Sequence, residues 1–452
     1  MEVSDSDEEV PVVQLCCLPF PDLHSLDSSI TEDFSTLLTV LANEDCEKAH
    51  AAVMRIRKLL SNESNPPIQA VIEAGGVTVL HRAMKHEDER IRYEATWAIT
   101  NLLSGNSKNT AKVLKSGCIP TLVSLMNIEE SWGVKEQALW AFGNIAGDST
   151  QWRDQVLEAG GLTAILANLR EDSRTYMKNA CWVVSNMVRG RPAPDTAYQV
   201  QAAPFVLAHI SLESDSEINC DLLWALSYIT EQSVDNIGLN SSYCELLVQF
   251  TANSAIPVAL PALRTIGNII SSTDKYTRVF IQMGVLDKMK ELLQHSKKNI
   301  RRETCWVLSN ICAESNSVVE QVVLSGILPQ VINLALEDEA TIRKEAVWVI
   351  ANTCDHCSLE LKPALLAIGV AQPLIEGLSF EDRKTRGVAI DGLMGLLKNV
   401  KEAISPEVIL SHVDVGEVVM HCKELASQGT ARAKGLLKEI AWLTPNDNDL
   451  DQ

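Results

Sequence analysis

Five times within a repeated segment of the chain a tryptophan is followed four residues later by an asparagine: Trp97 and Asn101, Trp140 and Asn144, Trp182 and Asn186, Trp306 and Asn310, Trp348 and Asn352. On a helix, positions four apart share a face, so each pair sets an indole beside a carboxamide. Neighbouring indoles leave slots whose walls accept the methylene stem of Lys or Arg, with a cation–π attraction of roughly 0.5–2 kcal/mol. A carboxamide offers donors and an acceptor, so it can hold the main chain of an extended peptide without reading its side chains. One such pair is ordinarily core packing, with Asn capping or bridging helices. Five copies weigh the other way, because Asn inside an apolar helix is costly unless its amide has a partner. The chemistry is non-covalent capture of an extended basic peptide. Selectivity then needs carboxylates where the charged heads arrive, and a charge-assisted bond contributes about 1.5–3 kcal/mol. Asp148 lies one turn beyond Asn144 on the same face, and Asp221, Glu231, Asp274, Glu303 and Glu345 occupy comparable edges.

Other reactive residue types are not arranged for chemistry. Cys354 and Cys357 have C-x-x-C spacing, but no second such pair supplies the further ligands of a zinc site. A redox pair would want a βαβ context. The run Lys297–Arg302 (KKNIRR) is the densest cluster of cations and sits where an inter-helix turn is expected, so it reads as a solvated loop. No phosphate-binding loop, zincin motif or nucleophile elbow is present, and the nine His have no repeated partner. No enzyme, cofactor or metal site is expected.

The elements that must position the Trp–Asn pairs are visible in the same spacing. Trp97, Trp140, Trp182 and Trp224 lie 43, 42 and 42 residues apart, and Trp306 and Trp348 again 42. The intervening unit reads LRTIGNII, with Arg264 in the Trp position and Asn268 in the Asn position. Weaker copies, MRIRKLLS before and IDGLMGLL and LLKEIAWL after, extend the series. Gly75, Gly117, Gly160, Gly284, Gly326 and Gly369 recur in step, where a sharp inter-helix turn needs positive φ. Each Trp segment is apolar on nearly all sides, as for a helix sandwiched between neighbours. An all-helical period near 42 indicates the armadillo/HEAT class. The fold expected is all-α, a right-handed armadillo-repeat superhelical solenoid of about ten repeats over residues 31–445, with a long concave groove.

Composition narrows the function further. The chain has 452 residues, 46% of them hydrophobic and 22% charged, which suits a packed soluble protein. Its net charge of −20 argues against a nucleic-acid partner, since phosphates need a basic surface, and favours basic partners. No apolar run is long enough for a membrane span, and the first residues lack the pattern of a secretory signal. Twelve scattered Cys suit a reducing compartment. Residues 1–47 hold twelve acidic residues and no Lys or Arg. Residues 1–30 therefore read as a disordered acidic tail, and 446–452 as a short acidic C-terminal tail.

The run from ATWAITNLLSGNS through EQALWAFGNIAGDS and CWVVSN to LLWALSYIT and ALRTIGNIISSTD resembles importin-α (karyopherin-α), the armadillo adapter for basic nuclear localisation signals. The resemblance covers roughly residues 34–400 and follows the family through its exceptions, Tyr228 in place of Asn and Arg264 in place of Trp. It implies a major cargo site at Trp97, Asn101, Gly105, Thr110, Gln137, Trp140, Asn144, Asp148, Trp182 and Asn186, with Gly105, Thr110 and Asp148 holding one critical Lys. It implies a minor site at Arg264, Asn268, Glu303, Trp306, Asn310, Glu345, Trp348 and Asn352. Between them Asp221, Trp224 and Tyr228 form a linker stretch, and Arg264 divides the groove so that a bipartite signal occupies both halves.

The function so implied is nuclear import: binding of Lys/Arg-rich signals of cargo proteins, with passage between cytoplasm and nucleus. Partners would be cargo, an importin-β receptor and an export receptor. Family members begin with a basic segment that binds importin-β and competes for the groove, whereas here no Lys or Arg precedes Lys48. Loss of that autoinhibition and of the usual importin-β contact is the expectation. The alternative is a non-shuttling armadillo scaffold or chaperone that binds basic peptides without importin-β. Asp391 and Gly395 replace Trp and Asn in the late copy IDGLMGLL, which puts the far end of the minor site in doubt.

Overall fold

The computed structural model describes residues 33–444 apart from 44, 129, 233, 253 and 254, and every regular element among them is helical. The acidic tails expected at 1–30 and 446–452 lie outside the described residues. The chain divides into two compact units, one ending at Phe205 and the other beginning at Val206.

The repeat follows from local signals. The six glycines expected at turns all have φ between 74° and 87°, the left-handed region that lets one short helix end and the next begin at a sharp angle. A polar turn then leads into the long helix that carries the Trp. Asp88 and Ser173 cap two of these long helices, and Asp382 caps the equivalent helix Arg383–Leu397, each by accepting a backbone N–H from the first turn. The long helices are buried on nearly every side; Ala95, Ala98, Ile99 and Leu102 around Trp97 are fully enclosed. Burying an Ile or Leu side chain contributes about 1.5–3 kcal/mol, which is why an apolar helix of modest propensity holds its place in the stack.

In the first unit the Arg57 helix (Cys46–Leu60), the Trp97 helix (Glu89–Leu103), the Trp140 helix (Trp132–Asp148) and the Trp182 helix (Arg174–Val188) pack consecutively. In the second, the Trp224 helix (Ser216–Gln232), the Arg264 helix (Ile256–Ser272), the Trp306 helix (Lys298–Cys312) and the Trp348 helix (Ala340–His356) do the same. The helices Arg383–Leu397 and Ala431–Ile440 continue that row. Each unit is thus a stretch of all-α solenoid.

The cationic run at 297–302 departs from expectation. It opens the Trp306 helix instead of forming a loop, and Arg301 makes a forked ion pair with Asp338 of the next repeat at 2.7 and 2.8 Å. Matching charges one repeat away draw the run into the stack. Cys354 and Cys357 are buried, Cys357 donates to the Cys354 carbonyl, and burial pushes both thiols up, the reverse of what a metal-binding thiolate needs.

Candidate peptide-binding faces

Along the Trp97 helix, every residue from Glu94 to Leu103 is buried except Trp97 and Asn101. The same interruption recurs at Trp140, Trp182, Trp306 and Trp348, each half-buried among fully buried neighbours. A core tryptophan would be enclosed with the rest, so the indoles mark the open edge of each helix.

The carboxamides have one common partner. Asn144 donates Nδ2 to the carbonyl of Thr100 at 3.2 Å, and Asn186 to that of Gly143 at 3.3 Å. In the second unit Asn268 reaches Ser227 at 2.8 Å, Asn310 reaches Gly267 at 3.5 Å and Asn352 reaches Ser309 at 2.8 Å. Each acceptor stands three residues after the Trp position of the preceding repeat. Asn101 departs from this rule: it also reaches back one repeat, but to the Ser61 hydroxyl, at 3.0 Å. Each amide thus bridges two helices through one N–H.

In the first unit the Trp140 helix carries the densest set of unused groups. Gln137, Trp140, Asn144 and Asp148 follow one another at spacings of three, four and four, which makes a continuous stripe. Gln137 Oε1, Asn144 Oδ1 and Asp148 Oδ2 are all buried acceptors with no hydrogen-bond partner. Asp148 is moreover the last residue of its helix, where the backbone dipole disfavours a negative charge. Hydrogen-bond donors are what that arrangement lacks. Trp182 packs closely against the Trp140 helix because position 143 is glycine; a Cβ there would stand 2.0 Å from the ring.

Gly105 is half-buried beside Asn109 at the turn after the Trp97 helix. Thr110 is fully buried, and its hydroxyl faces the Leu103 carbonyl at 3.5 Å.

The second unit holds the remaining residues. Trp224 stacks on Tyr228 of its own helix, with ring centres 5.9 Å apart, so one indole face there is closed from within. Asp221 lies half-buried three residues before Trp224. Arg264 packs over the Trp306 ring at 5.3 Å and forms an ion pair with Glu303, its Nη2 donating to Oε2 at 2.9 Å. The Glu303 carboxylate is buried and paired with Arg264. Glu345 is the open carboxylate of this face. Burial, and then the nearby Glu303, push it up to about 7, against the opposing pull of Arg302, Lys344 and Arg264. At the late repeat Asp391, in the Trp position, pairs with Arg432 at 2.7 Å, so this position carries an ion pair in place of an indole.

Two sets of residues escaped the sequence reading. Gly143 and Gly267 seat the next indole, since a Cβ at 267 would stand 2.1 Å from Trp306. The signal was a small residue three after every Trp position: Thr100, Gly143, Ser185, Ser227, Gly267, Ser309 and Ala351. Glu94 and Asn179 stand three before a Trp, in phase with Gln137, Asp221, Glu303 and Glu345. That phase alone marks them.

The armadillo/beta-catenin-like repeat family matches residues 64–104, 106–147 and 273–313. Importin subunit alpha-1a of Oryza sativa subsp. japonica is 36% identical over 285 residues, 62% of this chain and 54% of the relative. Importin subunit alpha-3 of Arabidopsis thaliana is 35% identical over 290 residues, 63% and 54% of the two chains. Importin subunit alpha-B of Dictyostelium discoideum is 39% identical over 252 residues, 55% and 49%. The chain therefore spans about half the length of these relatives. The crystal structure of an engineered protein shares the fold, with a TM-score of 0.78 at 21% identity over 91% of this chain and 98% of that one.

Proposed function

We propose that this chain, which is similar to importin subunit alpha proteins over about half of their length, is a nuclear import adapter whose Trp–Asn faces bind Lys/Arg-rich localisation segments of cargo. The observation that carries this reading is Asp148, a carboxylate with a buried, unpartnered oxygen at a helix C-terminus. Gln137 Oε1 and Asn144 Oδ1 stand unpartnered on the same stripe. A lysine ammonium brings three donors and a charge, and an extended main chain supplies the amides that the Asn groups still lack. The first face would read the critical Lys, and the second, around Trp306, Trp348 and Glu345, would take the other half of a bipartite segment. Partners on this reading are basic cargo and an importin-β receptor, with passage between cytoplasm and nucleus.

Fluorescence anisotropy of a Lys-rich peptide, and of the same peptide with its central Lys replaced by Ala, tests it. Asp148→Asn keeps the shape and removes the charge. Loss of one charge-assisted bond of about 1.5–3 kcal/mol weakens the Lys peptide roughly ten- to a hundredfold and leaves the Ala peptide nearly unchanged. Equal, weak binding of both peptides to the unaltered protein would sink the cargo reading. A pull-down with an importin-β receptor tests recruitment separately, and binding of peptide without receptor would favour a non-shuttling scaffold.

A further inference from the structure

The helix end that carries Asp148 has a counterpart in the second unit. Four places after each repeated Asn stand Gly105, Asp148, Gly190, Ser272, Glu314 and His356, so a carboxylate recurs once in that register, at Glu314. Glu314 follows the end of the Trp306 helix much as Asp148 ends the Trp140 helix, and there the backbone dipole disfavours a negative charge. Each keeps a buried carboxylate oxygen without a hydrogen-bond partner, Oδ2 of Asp148 and Oε2 of Glu314. Arg278, from the repeat before, approaches Glu314, but its Nε stays 3.9 Å from Oε1, and its Nη2 donates to the Ser317 hydroxyl at 3.4 Å. A charge-assisted N–H···O bond spans about 2.7–2.9 Å, so this contact leaves the carboxylate unsatisfied. The Arg278 side chain is 63% exposed and that of Glu314 10%, which makes the cation the movable partner. Thr277, next to Arg278, is buried, and its hydroxyl too has no partner. In the first unit Thr110 and Ala111 lie nine and ten residues past Asn101, as Thr277 and Arg278 lie nine and ten past Asn268. The second unit thus repeats the threonine and the carboxylate of the first, and adds an arginine where the first has alanine.

We propose that Glu314 is a cation-reading carboxylate of the second unit, the counterpart of Asp148, and that Arg278 is its exchangeable resident. This rests on the cargo reading above. A ligand ammonium entering beside the end of the Trp306 helix brings the donors that Glu314 Oε2 lacks, and the Thr277 hydroxyl can accept another of its three N–H groups. Arg278 turns out to solvent as the ammonium arrives. Its like charge opposes the newcomer, so this slot binds more weakly than the one at Asp148. Glu345 acts elsewhere, on the next helix, three residues before Trp348. The second unit then selects a Lys by a carboxylate of its own, and a short Lys-rich segment has one strong and one weaker slot on the same chain.

The test uses the full chain with Asp148→Asn as the parent, which silences the first reader and leaves the second. Anisotropy gives its affinity for the Lys-rich peptide and for the counterpart with the central Lys replaced by Ala. The parent should still prefer the Lys peptide. Adding Glu314→Gln should weaken that peptide roughly tenfold and leave the Ala peptide within about twofold. Glu314→Asp keeps the charge and should stay within about threefold of the parent, and Arg278→Ala, which installs the residue of the first unit, should strengthen the Lys peptide roughly three- to tenfold. Circular dichroism checks that each variant is folded, and Arg278→Ala carries the test should Glu314→Gln not fold. A parent without preference for the Lys peptide overturns the proposal. So does a folded Glu314→Gln that leaves the preference unchanged, or that weakens both peptides alike, since the carboxylate is then structural. Weaker binding of the Lys peptide to Arg278→Ala makes the arginine a support and overturns its part as resident. If the protein with Asp148 intact prefers neither peptide, the cargo reading itself fails, which separates the two.

Discussion

Replacing Gly143 by Ala should cost stability and peptide affinity together, although on an isolated helix the same change would be stabilising. The added Cβ would stand 2.0 Å from Cζ3 of Trp182. Ordinary carbon contacts are about 3.5–4.0 Å, so the indole must retreat by roughly 1.5 Å. Ala is favoured over Gly by about 1 kcal/mol in a helix interior, and overpacking costs about 1–3 kcal/mol, so the net loss is on the order of 1 kcal/mol. Trp182 is half-buried at the open edge, so its escape is outward, into the slot it should wall. Loss of one cation–π contact of about 0.5–2 kcal/mol weakens a Lys-rich peptide by roughly two- to thirtyfold. Gly147→Ala is the internal control: its Cβ would lie 3.3 Å from the Asn186 amide, a flexible neighbour, so the propensity gain should dominate and the melting midpoint should hold or rise. Thermal melts by circular dichroism and anisotropy titrations give both quantities. Gly143→Ala with unchanged midpoint and affinity would refute the seating of Trp182, as would a larger loss from Gly147→Ala.

Glu345 makes the second face sensitive to pH. Its carboxyl, pushed up to about 7, holds a proton in the folded state that the unfolded chain releases near pH 4.5, so folding stability contributed at this site falls as pH rises from about 4.5 to 7. A cationic ligand needs the ionised form, so the affinity of a peptide confined to the second face should rise several-fold from pH 6 to 8, and Glu345→Gln should flatten that rise; an unchanged slope in the variant would rule Glu345 out. Asn186→Ala removes a main-chain anchor in place of a side-chain reader, so it should weaken a Lys peptide and its Lys→Ala counterpart by a similar factor, roughly two- to tenfold. A selective loss for the Lys peptide alone would contradict that role.

The fold was legible because its period is written in residues that nothing else explains. Tryptophans 42 or 43 apart and glycines in step leave no other architecture, and the left-handed φ at all six glycines follows from them. The Trp–Asn faces were legible for the same reason. What escaped were relations between repeats. Spacing along one helix reveals phase, but that Arg57 lies on Trp97 and binds Glu94, about forty residues away, depends on how two helices pack. Glu303 shows the difference: its position marks a carboxylate at the edge, and only the packing shows that Arg264 already holds it. Likewise the cations at 297–302 look solvated until Asp338 and Glu339 arrive from the next repeat.

The carboxamide bonds all point the same way, from each repeat to the one before it. Removing a repeat from the C-terminal side of either unit leaves every remaining Asn with its acceptor, whereas removing one from the N-terminal side strands the next. A ribosome delivers the repeats in the favourable order, N-terminal first. Each new asparagine thus leaves the exit tunnel after the carbonyl that will receive it, and the growing stack never has to wait for a partner that has yet to be made.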